Sequence, residues 1–295
     1  MPNARKSQQE AGRLSVPATL GRITAFGLLV VLFFVVIAFP ADAAVPLEFE
    51  PYSVALAALF ALAVMARLDR SNFHAFGLVG NRSLITDTAL GFAIGAATMS
   101  AVALTLFVCG WYHPAGLNTS AEVRSNLTAG LGEFLAIGIA EELIYRGYVL
   151  QTLERRWGTD RALALTILVF GIAHLFIDIP GTHWLLRLTG ALSISAEAGV
   201  LFGAAYLLRR RLWLAIGVHW AWNFCEGPVF GMPVTGSDVG PSLVYAHTSG
   251  PVWATGGSFG PEAGIPCLVL GTLAGLALLE TGYRNKTWRH GMPAD

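Results

Sequence analysis

Charge is scarce in this chain of 295 residues. Asp, Glu, Lys and Arg make up 13% of it, against about 25% in an average soluble domain. Hydrophobic residues supply 54%. That balance argues against a soluble globule and against a disordered chain. The formal net charge is zero, so nothing supports a general affinity for nucleic acid. Cysteine is rarer still. Cys109, Cys225 and Cys267 lie far apart and form no CxxC pair, so zinc fingers, iron–sulfur sites and a disulfide scaffold are not expected. There is no Gly-x-Ser-x-Gly and no His-Glu-x-x-His, which removes the usual signs of a serine hydrolase or a zincin. No internal repeat, low-complexity tract or inverted two-half pattern is evident, the last being a mark of many transporters.

What is present is a series of apolar runs. A bilayer core about 30 Å thick takes about 20 apolar helical residues. Eight segments come close: 22–39, 52–66, 85–109, 131–150, 162–177, 189–208, 212–226 and 265–283. The reading is all-α: a polytopic membrane helix bundle of about eight transmembrane helices. Residues 1–21 form a basic N-terminal tail, 22–284 one transmembrane domain and 285–295 a second tail. The basic residues set the orientation. With the N-terminus in the cytoplasm, sixteen of the nineteen Lys and Arg fall on inside segments, and only Arg124 and Arg187 fall on outside loops. Arg146 lies within a helix. This positive-inside asymmetry puts both termini in the cytoplasm and points to a bacterial cytoplasmic (inner) membrane. A rival reading is a cleavable leader ending near Ala41-Asp42-Ala43. The one long loop, Gly227–Gly264, has no Lys or Arg and lies outside on this topology. Loops of that length are usually functional or mobile.

Ionisable residues inside a span are expensive, so each is a functional candidate. The fourth segment carries Glu141, Glu142 and Arg146. At about 100° per residue the two carboxylates point in different directions. Glu142 and Arg146 are i,i+4 neighbours able to pair, which leaves Glu141 as the reactive group. The fifth segment carries His174, and the seventh carries His219 and Asn223, again i,i+4. At 1.5 Å per residue, Glu141 lies roughly 13 Å, His174 about 18 Å, His219 about 10 Å and Asn223 about 16 Å from the arginine-bearing ends of their helices. All four can meet around one cavity. Each also has a plainer use, in a polar network or clamp that joins helices. Glu197 is expected to serve helix packing, and Glu226 to sit at the outer interface.

A carboxylate and an imidazole can together activate water as a general base. Donors from His219 and Asn223 can stabilise an oxyanion. The same atoms permit a second version, in which Glu141, His174 and His219 hold a divalent metal such as zinc with an open position for water. The spacing does not choose between them.

The order Glu141-Glu142-x-x-x-Arg146, Phe170-x-x-x-His174 and His219-x-x-x-Asn223, each on its own membrane helix, resembles the CPBP family of intramembrane proteases. That family includes CAAX prenyl endopeptidases and bacteriocin-processing or immunity proteins. The resemblance covers a core of about 131–226. It implies Glu141 and His174 as the water-activating pair, His219 and Asn223 as the oxyanion site, and Glu142 with Arg146 as support. It implies a peptide or protein substrate met at the lipid bilayer, and by analogy a cavity that opens on the cytoplasmic side. The family is generally classed with metalloendopeptidases. Two other readings stand beside the enzyme. One is a non-catalytic regulatory or bacteriocin-immunity-type protein on the same scaffold. The other is a proton-coupled carrier with a relay through Glu141, His174 and Glu197.

Overall fold

The computed structural model describes residues 14–39, 46, 49–177 and 182–287. The basic residues Arg5, Lys6, Arg13 and Arg289, and the Ala41-Asp42-Ala43 stretch, lie outside the described residues.

Every expected apolar segment is helical. The long helices are α1 (Val16–Ala38), α2 (Glu50–Leu68), α3 (Ser83–Val108), α4 (Ala121–Glu142), α5 (Gln151–Trp157), α6 (Thr159–His174), α7 (Trp184–Ile194), α8 (Val200–Arg209), α9 (Leu212–Phe224) and α10 (Ile265–Arg284). The chain passes from α4 to α5 through a π-helical stretch, Leu143–Leu150, and from α7 to α8 through another, Ser195–Gly199. A third, Cys225–Val229, extends α9. α1 starts at Val16, ahead of the expected boundary at residue 22, because Ser15 caps it by accepting from the Ala18 N–H and Pro17 stands in its first turn.

Among the described residues, five helical stretches are long and apolar enough to cross a membrane: Val16–Ala38, Glu50–Leu68, Ser83–Val108, Trp184–Arg209 and Ile265–Arg284. α1 is the most apolar, with a mean hydropathy of 2.5. Its Leu28, Val31, Leu32, Val35 and Val36 are exposed, a face that only lipid would cover in place of protein. This is an all-α integral membrane protein. The remaining helices are shorter or carry the polar residues; among them α9 is almost wholly buried.

At one end of the bundle arginines meet acids. Arg22 and Arg155 reach Asp69 at 2.8 and 3.5 Å. Arg211 and Arg209 reach Asp87 at 2.7 and 3.7 Å. Arg210 reaches Glu154 at 2.8 Å. Arg210 also takes a left-handed conformation, φ 54°, which ends α8. The chain then turns back, and the Leu212 N–H donates to the Gly77 carbonyl at 3.0 Å.

At the other end stands a two-stranded antiparallel pair, β1 (Tyr112–Leu117) with β2 (Val244–Thr248). The apolar runs gave no sign of it. It anchors the long loop, which is built rather than loose. The Tyr112 hydroxyl donates to the Phe230 carbonyl at 2.7 Å, and burial pushes that phenol up to about 12. The Asn126 amide donates to the carbonyls of Val239 and Pro241, both at 2.9 Å.

Glycine sets the closest helix contact. A Cβ on Gly91 of α3 would stand 2.2 Å from the Leu214 carbonyl oxygen of α9, and one on Gly217 would stand 2.2 Å from that of Thr88. The two backbones therefore touch, as in membrane helices packed through small residues. This fixes α9, which carries His219 and Asn223, against a helix that spans the fold.

Candidate active site

Glu142 is fully buried. Its Oε1 accepts from Arg146 Nη1 at 2.8 Å and from His219 Nδ1 at 3.0 Å. The Glu142–Arg146 pair expected from i,i+4 spacing is present. The bond to His219 was not foreseen, because the two residues lie 77 positions apart. Arg146 is spent on this network. Its Nη2 donates to the Gly199 carbonyl at 3.3 Å, and its guanidinium lies 4.6 Å from the Phe170 ring centroid. His219 in turn stacks on Phe202, with centroids 4.4 Å apart and planes at 19°. The imidazole is thus gripped on its edge and on its face.

A carboxylate bonded to Nδ1 fixes the proton there. His219 then presents Nε2, 3.9 Å from Glu141 Oε2. His174 is set differently. Its Nδ1 donates to the Phe170 carbonyl one turn back, at 2.8 Å. That leaves the Nε2 lone pair as a proton acceptor. His174 is the last residue of α6.

Glu141 is the free carboxylate. Its Oε2 is buried and has no hydrogen-bond partner. Glu141, His174, His219 and Asn223 all line one cavity of about 190 Å³, room for about six waters at about 30 Å³ each. Asn223 is 7% exposed. The four residues singled out in the sequence are therefore brought together, with Glu142 and Arg146 directly behind them.

The cavity extends along α4 and under the long loop. Its wall passes from Glu141 through Ile137 and Phe134 to Glu133, toward the start of α4. Its roof is Val234, Thr235, Ser237 and Val239 of the long loop. It extends from the motif residues toward the loop, away from the arginine-rich end. The loop's own hydrogen bonds carry it over the site.

Two lining residues were missed. Glu133 lies inside the fourth apolar segment, and the rule that flags an ionisable residue within a span applies to it as fully as to Glu141. Glu262 lies in the loop and gave no signal. It accepts from Trp222 Nε1 at 3.2 Å, from the Thr235 N–H at 2.9 Å and from the Thr235 hydroxyl at 2.8 Å. It ties the roof to α9 beside Asn223.

Two other expectations change. Glu226 is fully buried rather than interfacial, because the π-helical turn after α9 keeps it inside. Glu197 is also fully buried, and neither of its carboxylate oxygens has a hydrogen-bond partner. It does not line the cavity with Glu141 and His174, so the relay suggested for a carrier lacks its third member there. Among the described residues no group of three His, Cys, Asp or Glu side chains is arranged to hold a metal ion.

The fold thus holds, inside a bundle of apolar helices, a cavity lined by two histidines, an asparagine and a carboxylate oxygen with no hydrogen-bond partner. Residues 123–225 match the model of one family in particular, described as Type II CAAX prenyl endopeptidase Rce1-like. The match takes in about a third of the chain and contains all three motifs. Over that stretch the chain is similar to the CPBP, or CAAX-type, proteases. No curated protein matches the chain.

Proposed function

We propose that this protein is an intramembrane endopeptidase that cuts a membrane-associated peptide, with water activated by Glu141 and His174. One observation carries the reading: Glu141, His174, His219 and Asn223 line a single cavity in which a Glu141 carboxylate oxygen has no hydrogen-bond partner.

A water between Glu141 and His174 Nε2 gives one proton to this pair as its oxygen attacks the peptide carbonyl carbon. The carbonyl oxygen gains charge and takes hydrogen bonds from the Asn223 amide and from His219. When the C–N bond breaks, the held proton passes to the leaving amine. The products are a carboxylic acid, which keeps the other proton of the water, and an amine; they then ionise to carboxylate and ammonium, and Glu141 and His174 are restored. Glu142 and Arg146 touch no substrate. They hold His219 in position and keep its Nδ1 protonated. No step here is routed through a metal. The topology that goes with this reading is eight crossings, with the arginine-rich end on the cytoplasmic side of a bacterial inner membrane.

The test is peptide-termini profiling of membranes from cells that carry the wild-type protein or Glu141→Gln. Gln keeps the size and polarity but cannot accept the proton. New termini should depend on Glu141, with activity reduced by about 10²–10⁴-fold in the variant, and a chelator such as EDTA should leave the wild-type pattern unchanged. If no terminus changes while deletion of the protein still has a phenotype, the regulatory, immunity-type reading takes its place.

A further inference from the structure

The charge inside the cavity is one-sided. Glu133, Glu141 and Glu262 line it, and no Lys or Arg does. The nearest cation behind the wall, Arg146, is already bound to Glu142 and Gly199. The three carboxylates are not equivalent. Glu262 is occupied by Trp222 and Thr235. Glu141 faces His219. Glu133 makes no hydrogen bond or ion pair, yet it is half-buried at the far end of the cavity from the motif residues. Asn223, more than nine-tenths buried, also faces this space without a partner, a polar group directed at something that is to fill it.

We propose that Glu133 is a specificity-determining residue that pairs with a Lys or Arg side chain of the substrate, about three residues from the bond that is cut. This rests on the protease reading above. The spacing follows from helix and strand geometry. Glu133 and Glu141 are eight residues apart on α4, roughly 12 Å along its axis at 1.5 Å per residue. An extended peptide advances about 3.3 Å per residue, so 12 Å is three to four residues. A carboxylate in a site from which water is partly excluded attracts a cation strongly and repels an acid. The same cavity disfavours an acidic residue at that position.

The experiment uses the full-length protein in lipid nanodiscs and a series of membrane-anchored peptides. One Lys, Gln or Glu is moved through the four positions on either side of the scissile bond. The wild-type protein should cut the best Lys peptide with a kcat/KM about tenfold above its Gln counterpart, the size expected of a charge-assisted hydrogen bond. Glu133→Gln should lose that factor, chiefly through KM. Glu133→Arg should turn the preference toward the Glu peptide. Equal rates for Lys and Gln peptides, or a Lys preference that survives Glu133→Gln, overturns the assignment while the protease reading stands. Binding of uncut peptides to Glu141→Gln protein provides a readout independent of turnover. Tighter binding of the Lys peptide, lost on adding Glu133→Gln, supports the assignment even if no peptide is cut. Equal binding of Lys and Gln peptides overturns it.

Discussion

Glu142 and the pair Glu197 and Glu226 are all wholly buried in this bundle, and they live there on different terms. Glu142 has an arginine at 2.8 Å and an imidazole at 3.0 Å on one oxygen. Glu197 and Glu226 have four oxygens between them and no hydrogen-bond partner for any. Burying a carboxylate is expensive unless it is paired. Where the charge of Glu142 is used, to hold His219, the fold supplies partners for it. Where no partner is supplied, the fold does not depend on a charge. The contrast separates carboxylates that do electrostatic work from those that fill space beside α10, where a Cβ on Gly271 would come within 2.9 Å of the Glu197 Cβ.

Removing the partner from the paired side should give the largest change. Arg146→Met leaves Glu142 buried beside His219 alone, and should destabilise the protein by about 3–5 kcal/mol, read as a lower midpoint in denaturant titration of the protein in mixed micelles. A loss below about 1 kcal/mol would mean that the pair is not the anchor its geometry suggests. Glu262→Gln tests a carboxylate that is satisfied by neutral donors instead. It should cost about 1.5–3 kcal/mol and speed hydrogen exchange at Thr235 and Ser237, since the roof loses its tie to α9. On the unpaired side the expectation is close to nothing. Glu197→Gln and Glu226→Gln should each change stability by less than about 1 kcal/mol, because the amide keeps the shape and no charged contact is lost. A loss of about 2 kcal/mol or more in either would erase the distinction between the two regions.

The sequence made the helices legible because lipid imposes a simple rule. A run of apolar residues of the right length has few other uses. The cluster of Glu141, His174, His219 and Asn223 was legible for the converse reason, since polar groups in such runs need a purpose. The contacts between distant segments were not legible. No spacing rule links Glu142 to a histidine 77 residues away. The long loop showed only the absence of charge, not the strand that pairs with Tyr112–Leu117 or the residues that roof the cavity. Pro114 and Gly116, with a register shift between them, hide β1 from a search for alternating residues. Glu133 was open to the same rule as Glu141 and was passed over because it stands outside the motif.

The π-helical stretch Leu143–Leu150 follows immediately after Glu142. A wider turn delays the helical phase, and one residue more or less re-aims everything beyond it by about 100°. The half of this long helix that carries Glu133 and Glu141 is therefore geared separately from the half that carries Glu154 and Arg155 at the arginine-rich end. One half answers to the cavity, the other to the salt bridges at the bundle's end. Deleting a single residue within this stretch would couple the two, so that either the cavity carboxylate or the anchoring charges must face the wrong way.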